Sequence, residues 1–151
     1  MARPTQIVLA VRVGEASAAP ARTAVWLASR LEADVTVVYI ATELKTVAQV
    51  AKGAGLLPED VRARMIEEAR ERALSWGRNA LEGRPFDVRI EEGDVAERIA
   101  AAAADLGAEL VVVGTEARGA IQGLILGETT RQILRRTPCP VVVVPPLAER
   151  R

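Results

Sequence analysis

The sequence predicts a doubly wound α/β domain, a five-stranded parallel sheet with helices on both faces. Three observations carry that expectation. Five short runs rich in β-branched residues recur along the chain, and four of them are nearly continuous in apolar residues, as strands covered on both faces require. The stretches between them place alanine and aliphatic residues at helical spacing. Strand and helix patterns alternate throughout, which implies parallel strands joined by right-handed crossovers.

Taken in order, residues 6–11 (QIVLAV) form the first strand. A helix from about 18 to 32 follows, with Ala21, Ala24, Val25, Ala28 and Leu31 along one face. Residues 35–40 (VTVVYI) form the second strand. A long helix from about 58 to 82 then carries Val61, Met65, Ala69, Ala73, Trp76 and Ala80 on its inner face. The run at 86–91 (FDVRIE) differs from the others. Phe86, Val88 and Ile90 alternate with Asp87, Arg89 and Glu91, the pattern of a half-exposed strand near a sheet edge. Val95, Ile99, Ala102 and Leu106 mark the next helix, ended by Gly107. Residues 109–113 (ELVVV) make the fourth strand, and a helix from near Gly127 to Arg136 is stopped by Pro138. Residues 141–144 (VVVV) make the fifth.

The connection at 42–57 is long for an α/β loop and holds Gly53 and Gly55. It reads either as a mobile lid or, more simply, as a short extra helix at 44–51 with a flexible tail. Residues 1–147 form one domain, and residues 148–151 read as a frayed tail.

Composition narrows the function. Lys plus Arg and Asp plus Glu each number 20, so the net charge is zero, and aromatic residues make up 3%. A general nucleic-acid binder needs a cationic face and stacking aromatics, so that class is not expected. The chain has no histidine, which excludes a Ser-His-Asp triad and any histidine metal site and lowers the expectation of an enzyme. Cys139 is the single cysteine, in the setting Thr137-Pro138-Cys139-Pro140. It can form no intramolecular disulfide or thiolate zinc cluster and reads as a buried structural residue. No apolar run approaches the roughly 20 residues that cross a bilayer, and no signal peptide opens the chain. A cytoplasmic protein without a membrane partner is expected.

In an open parallel sheet, ligands bind beyond the carboxyl ends of the strands, where the strand order reverses. Arg12, Val13 and Gly14 follow the first strand, Ala41 and Thr42 the second, and Gly114 and Thr115 the fourth, with Ala10, Val11, Ile40 and Val113 at the strand ends themselves. The stretch from Gly114 to Gly127 contains two further glycines, Gly119 and Gly123, and leads into Glu128, Thr129 and Thr130 at a helix start. Glycine admits close approach of a phosphate, and a helix N-terminus offers free N–H groups. The stretch is therefore a phosphate cradle or a glycine-rich loop that merely turns the chain.

The chain resembles the universal stress protein family. The resemblance lies in Ile7-Val8-Leu9-Ala10-Val11, in Glu92-Gly93-Asp94-Val95-Ala96-Glu97-Arg98-Ile99, in Gly114-Thr115 with the run Gly123 to Gly127, and in Thr137-Pro138-Cys139-Pro140 followed by four valines. It implies a flavodoxin-like strand order, 3-2-1-4-5, and a homodimer paired through the final strand, from Pro140 to Val144. ATP-binding members of the family show a glycine, two residues, a second glycine, nine residues, and a glycine followed by Ser or Thr, with an aspartate after the first strand. Gly114 and Gly127 match that pattern, while Ala117 replaces the second glycine, Glu128 the Ser or Thr, and Arg12 the aspartate.

The change at Glu128 weighs most. A carboxylate about 4 Å from a phosphate charge costs on the order of 4 kcal/mol at an effective dielectric near 20, about a thousandfold in affinity. The same carboxylate gains about 0.3–1 kcal/mol from the helix dipole. Arg12 and Glu128 are then expected either to close the phosphate side as an ion pair, leaving a binding module with a degenerate adenine-nucleotide site, or to serve an altered cradle. In the second case Arg12 contacts phosphate, Glu128 binds through a divalent metal such as Mg²⁺ brought with the nucleotide, and Ala10, Val11 and Ile40 line the base. Slow ATP hydrolysis is a further alternative, but Glu116 and Glu128 are candidate bases by position alone, and no catalytic residue is assigned.

Overall fold

A computed structural model describes residues 5–12, 17–55, 58–115 and 126–146. Its sheet is built from β1 (Gln6–Val11), β2 (Asp34–Ile40), β3 (Asp87–Glu91), β4 (Leu110–Gly114) and β5 (Val141–Val144). All neighbouring pairs are parallel, and the spatial order is β3-β2-β1-β4-β5. The expected strand order is present, and the alternating run lies at an edge, as its half-apolar pattern predicts.

The period-2 alternation of each strand divides the core in two. Ile7, Leu9, Val11, Val35, Val37 and Val112 face α1 (Ala18–Leu31) and α3 (Pro58–Ala80). Val8, Ala10, Val38, Ile40, Val111 and Val113 face α4 (Val95–Leu106) and α5 (Glu128–Arg136). Most of these side chains are fully buried, each contributing about 1.5–3 kcal/mol through removal of apolar surface from water. Fully buried Ala21, Ala24 and Ala28 on α1 and Ala69 and Ala73 on α3 lack bulk, so these helices sit close to the sheet.

Residues 44–51 are helical as expected, within a longer α2 (Leu44–Gly53). Residues 56–57, at the end of the expected flexible tail, lie outside the described residues. So do residues 148–151, the expected frayed tail.

Three boundaries shift for physical reasons. β4 takes in Gly114 because Gly114 pairs with Val144. β3 begins at Asp87, because Phe86 packs against the α1–α3 core instead of joining the ladder. Leu31, expected on the buried face of α1, is 47% exposed. The chain turns there through Glu32 in the left-handed region (φ 50°), and Ala33 fills the corner of the core.

α4 shows how local sequence sets an element. Asp94, in extended conformation, accepts a hydrogen bond from the Glu97 backbone N–H at 2.9 Å, and Gly107 closes the helix with φ 62°. No described helix is long and apolar enough to cross a membrane.

Candidate functional site at the carboxyl ends of the central strands

The order β3-β2-β1-β4-β5 reverses between β1 and β4, and open α/β sheets hold their ligands beyond the carboxyl ends of the strands at such a switch point. Register places Ala10 beside Val113 on one side and Val38 on the other. Ala10, Val113 and Ile40 all lie on the α4–α5 face and are buried. They form an apolar base of the kind a nucleobase or another flat group packs against. Val11 points to the opposite face, into the core under α1 and α3, so only its backbone can serve a ligand held above Ala10. Arg12 is exposed one residue past β1, and its carbonyl accepts a hydrogen bond from the Ser17 hydroxyl.

Beyond β4 the chain is tied to its neighbour. The Thr115 N–H donates to the Val144 carbonyl at 3.1 Å. The Thr115 side chain is different, because its Oγ1 is buried and has no hydrogen-bond partner among the described residues. A buried hydroxyl left unmet costs about 1–3 kcal/mol, so a polar partner there would be stabilising. Ala117, with Glu116, Arg118, Gly119 and Gly123, lies outside the described residues.

At the far end of that segment, Gly127 caps α5 with φ −64° and ψ 161°, and, having no side chain, makes no side-chain cap bond to the first turn. That backbone conformation suits any residue, and a Cβ on Gly127 would meet nothing within 4 Å among the described residues. Neither conformation nor packing in the described chain demands glycine here. Glu128 and Thr129 are exposed, whereas Thr130 is buried. The Glu128 carboxylate accepts from Gln132 Nε2 at 3.3 Å, one helical turn on. Among the described residues Glu128 makes this contact, and the ion pair expected with Arg12 is not among their salt bridges. An intrahelical contact four residues away requires less ordering of side chains than a bridge between separate elements.

A concavity of about 550 Å³ lies beside this switch point, among α2, the N-terminal part of α3 and the connection from β3 to α4. It begins at Ala41, next to Ile40, and includes none of the cradle residues. The cradle is identified by the strand reversal, so the two places are distinct. The cleft escapes a reading of the sequence because its walls come from three distant segments, although the Asp94 and Glu97 spacing marks the helix start on its rim.

Lys45, Arg62, Glu92 and Asp94 line the cleft, and further polar contacts lie on the strands and helices around it. Arg62 Nε donates to both oxygens of Glu92, at 2.9 and 3.0 Å, which holds the guanidinium more firmly protonated. Tyr39 donates to Glu43 at 2.8 Å, and Arg72 lies 3.5 Å from the same carboxylate. Burial, then the bond to the Glu43 carboxylate, pushes the Tyr39 phenol up. Arg89 pairs with Glu91 and, at 2.7 Å, with Asp105. Among the described residues, no group of three or more His, Cys, Asp or Glu is placed to hold a metal ion.

Residues 4–145 match the model of the universal stress protein family. A Thermus aquaticus protein, the universal stress protein in the QAH/OAS sulfhydrylase 3′ region, is 34% identical over 95 residues, covering 58% of this chain and 69% of that protein. Among solved structures, an Archaeoglobus fulgidus universal stress protein in complex with dAMP aligns with a TM-score of 0.61 at 19% identity, over 93% of this chain and 97% of that one. A universal stress protein in complex with cAMP aligns with a TM-score of 0.60 at 19% identity, over 97% of this chain and 100% of the other.

Proposed function

The chain belongs to the universal stress protein family, and we propose that it is a dimeric stress-response binding module whose adenine-nucleotide site has degenerated, acting by binding and not by turnover. The observation that carries this reading is Glu128. It stands as the first residue of α5, where the helix offers its open amides. Its carboxylate supplies from within the chain the negative charge that a phosphate would bring. Its contact to Gln132 keeps that charge on the helix. The absence of histidine from the whole chain removes the usual proton carrier for attack by water.

The dimer rests on β5. This strand ends the sheet and consists of four half-buried valines paired on one side with β4. An apolar edge is a liability unless something pairs with it, and a second copy of the same strand supplies that partner.

A second reading, an altered nucleotide cradle, is favoured by two observations. Thr115 Oγ1 is buried without a partner among the described residues, and Gly127 is a glycine that the described chain does not itself require. Both suit a ligand lying between the end of β4 and the start of α5. The relatives solved with dAMP and cAMP make adenine nucleotides the class to test.

The two readings separate on what the purified protein carries. Mass spectrometry of the denatured protein is expected to release no nucleotide, and adding nucleotides with Mg²⁺ is expected to leave the melting temperature unchanged. Stoichiometric AMP, ATP or cyclic nucleotide in the released fraction would replace the first reading with the second.

A further inference from the structure

The cleft beside the cradle has features of a ligand site in its own right. Its volume of about 550 Å³ lies inside the range of about 300–1,000 Å³ typical of small-molecule sites. Its walls are apolar, with Leu44 and Ala48 from α2 facing Val61 and Met65 from α3. Ala41, just past β2, and Val95, the first residue of α4, complete the lining.

The charges on its rim are unevenly compensated. Glu92 is held by both of its oxygens on Arg62. Asp94 is engaged as the cap of α4 through the Glu97 amide. Lys45 lines the same cleft and makes no ion pair among the described residues. It is the second residue of α2, where the helix dipole disfavours a cation. The residue placed to offset it, Glu43, makes no side-chain cap bond to α2, because its carboxylate is engaged with Tyr39 and Arg72.

We propose that this cleft is a second ligand site, separate from the nucleotide cradle, for a small monoanion with an apolar body, an aliphatic or aromatic carboxylate or sulfonate. The tail lies against Leu44, Ala48, Val61 and Met65, and the head lies at Lys45. A nucleotide fits this site poorly, since its several negative charges would meet a single uncompensated cation, Lys45, with the Asp94 carboxylate on the same rim. The Arg62–Glu92 pair serves the site twice. It joins α3 to the connection before α4 across the cleft, and it neutralises a carboxylate that would otherwise repel the ligand.

Anilinonaphthalenesulfonate, an aromatic sulfonate that fluoresces when desolvated, is the probe. Saturable binding of one probe per chain is expected, displaced by octanoate but not by octylamine or Mg-ATP. Lys45→Glu, an exposed position whose change leaves the core intact, is expected to weaken binding at least about fivefold. Ala48→Trp, which fills the cleft, is expected to abolish it. Amide resonance shifts on adding octanoate should centre on Lys45, Ala48, Gly93 and Val95. Equal displacement by octylamine, an unchanged affinity in Lys45→Glu, or shifts centred on β5 or α1 would overturn the proposal.

Discussion

Glu128 and Gly127 sit side by side at the start of α5 and bear on nucleotide binding in opposite directions. The glycine leaves space for a phosphate, and the glutamate brings a like charge to the same place. Glu128 is exposed and, among the described residues, bonded only along its own helix, so its repulsion is screened more than a buried charge would be. At about 4 Å it amounts to roughly 1 kcal/mol in a fully watery surrounding and about 4 kcal/mol at a dielectric near 20. Glu128→Ser is accordingly expected to tighten Mg-ATP binding by between about fivefold and a thousandfold. Unchanged titrations of the variant would remove Glu128 from the account. Cys139 makes a separate test. It is half-buried beside the α4–α5 core, and burial pushes its thiol up. The thiolate is the reactive form, so Ellman's reagent at about pH 8, near the ordinary thiol pKa of about 8.5, should label the native protein more slowly than the urea-unfolded protein. Equal rates would contradict a structural role. The candidate residues at strand ends were legible in the sequence, because strand order alone places Ala10, Ile40 and Val113 together. The partner of Glu128 was not, since Gln132 and Arg12 are both plausible from spacing and only side-chain geometry decides between them.

At the scale of elements, two substitutions probe how local sequence meets packing. Asp94 caps α4 through the Glu97 amide, so Asp94→Ala is expected to lower stability by about 0.5–2 kcal/mol in urea unfolding. No change would mean that the cap is replaced by solvent at no cost. Gly77 lies inside α3, where alanine ordinarily gains about 0.5–1 kcal/mol over glycine. Here a Cβ would stand 2.4 Å from Phe86 Cζ and 2.5 Å from its Cε2. The Phe86 ring packs against the core under α1 and α3, so making room displaces a core side chain, at about 1–3 kcal/mol. Gly77→Ala is thus expected to destabilise the protein, and a raised melting temperature would show that the ring yields freely. The centres of the strands and helices could be read from β-branched runs and apolar periodicity. Their ends could not, because the pairing of Gly114 with Val144 and the burial of Phe86 are decided by neighbours distant in sequence. The same holds for the cleft, whose walls meet only when α2, α3 and the segment before α4 are folded together.

For the whole molecule, the sheet order followed from alternation and family resemblance, while the assembly depends on what covers β5. Pro140 and Val144 direct their carbonyls to β4. The alternation of a parallel ladder therefore leaves the N–H groups of Val141 and Val143 pointing away from the sheet. Val143→Pro removes one outward donor while sparing the bonds to β4, and proline is tolerated on an edge strand. Light scattering should find twice the chain mass of 16.1 kDa for the native protein and a monomer for the variant. A dimeric variant would place the interface elsewhere. The central claim is that an inherited nucleotide cradle now carries its own negative charge and no longer holds ATP tightly. Calorimetric titration of the native protein with Mg-ATP tests it most directly. The account predicts no binding in the micromolar range, and a micromolar dissociation constant at one site per chain would contradict it.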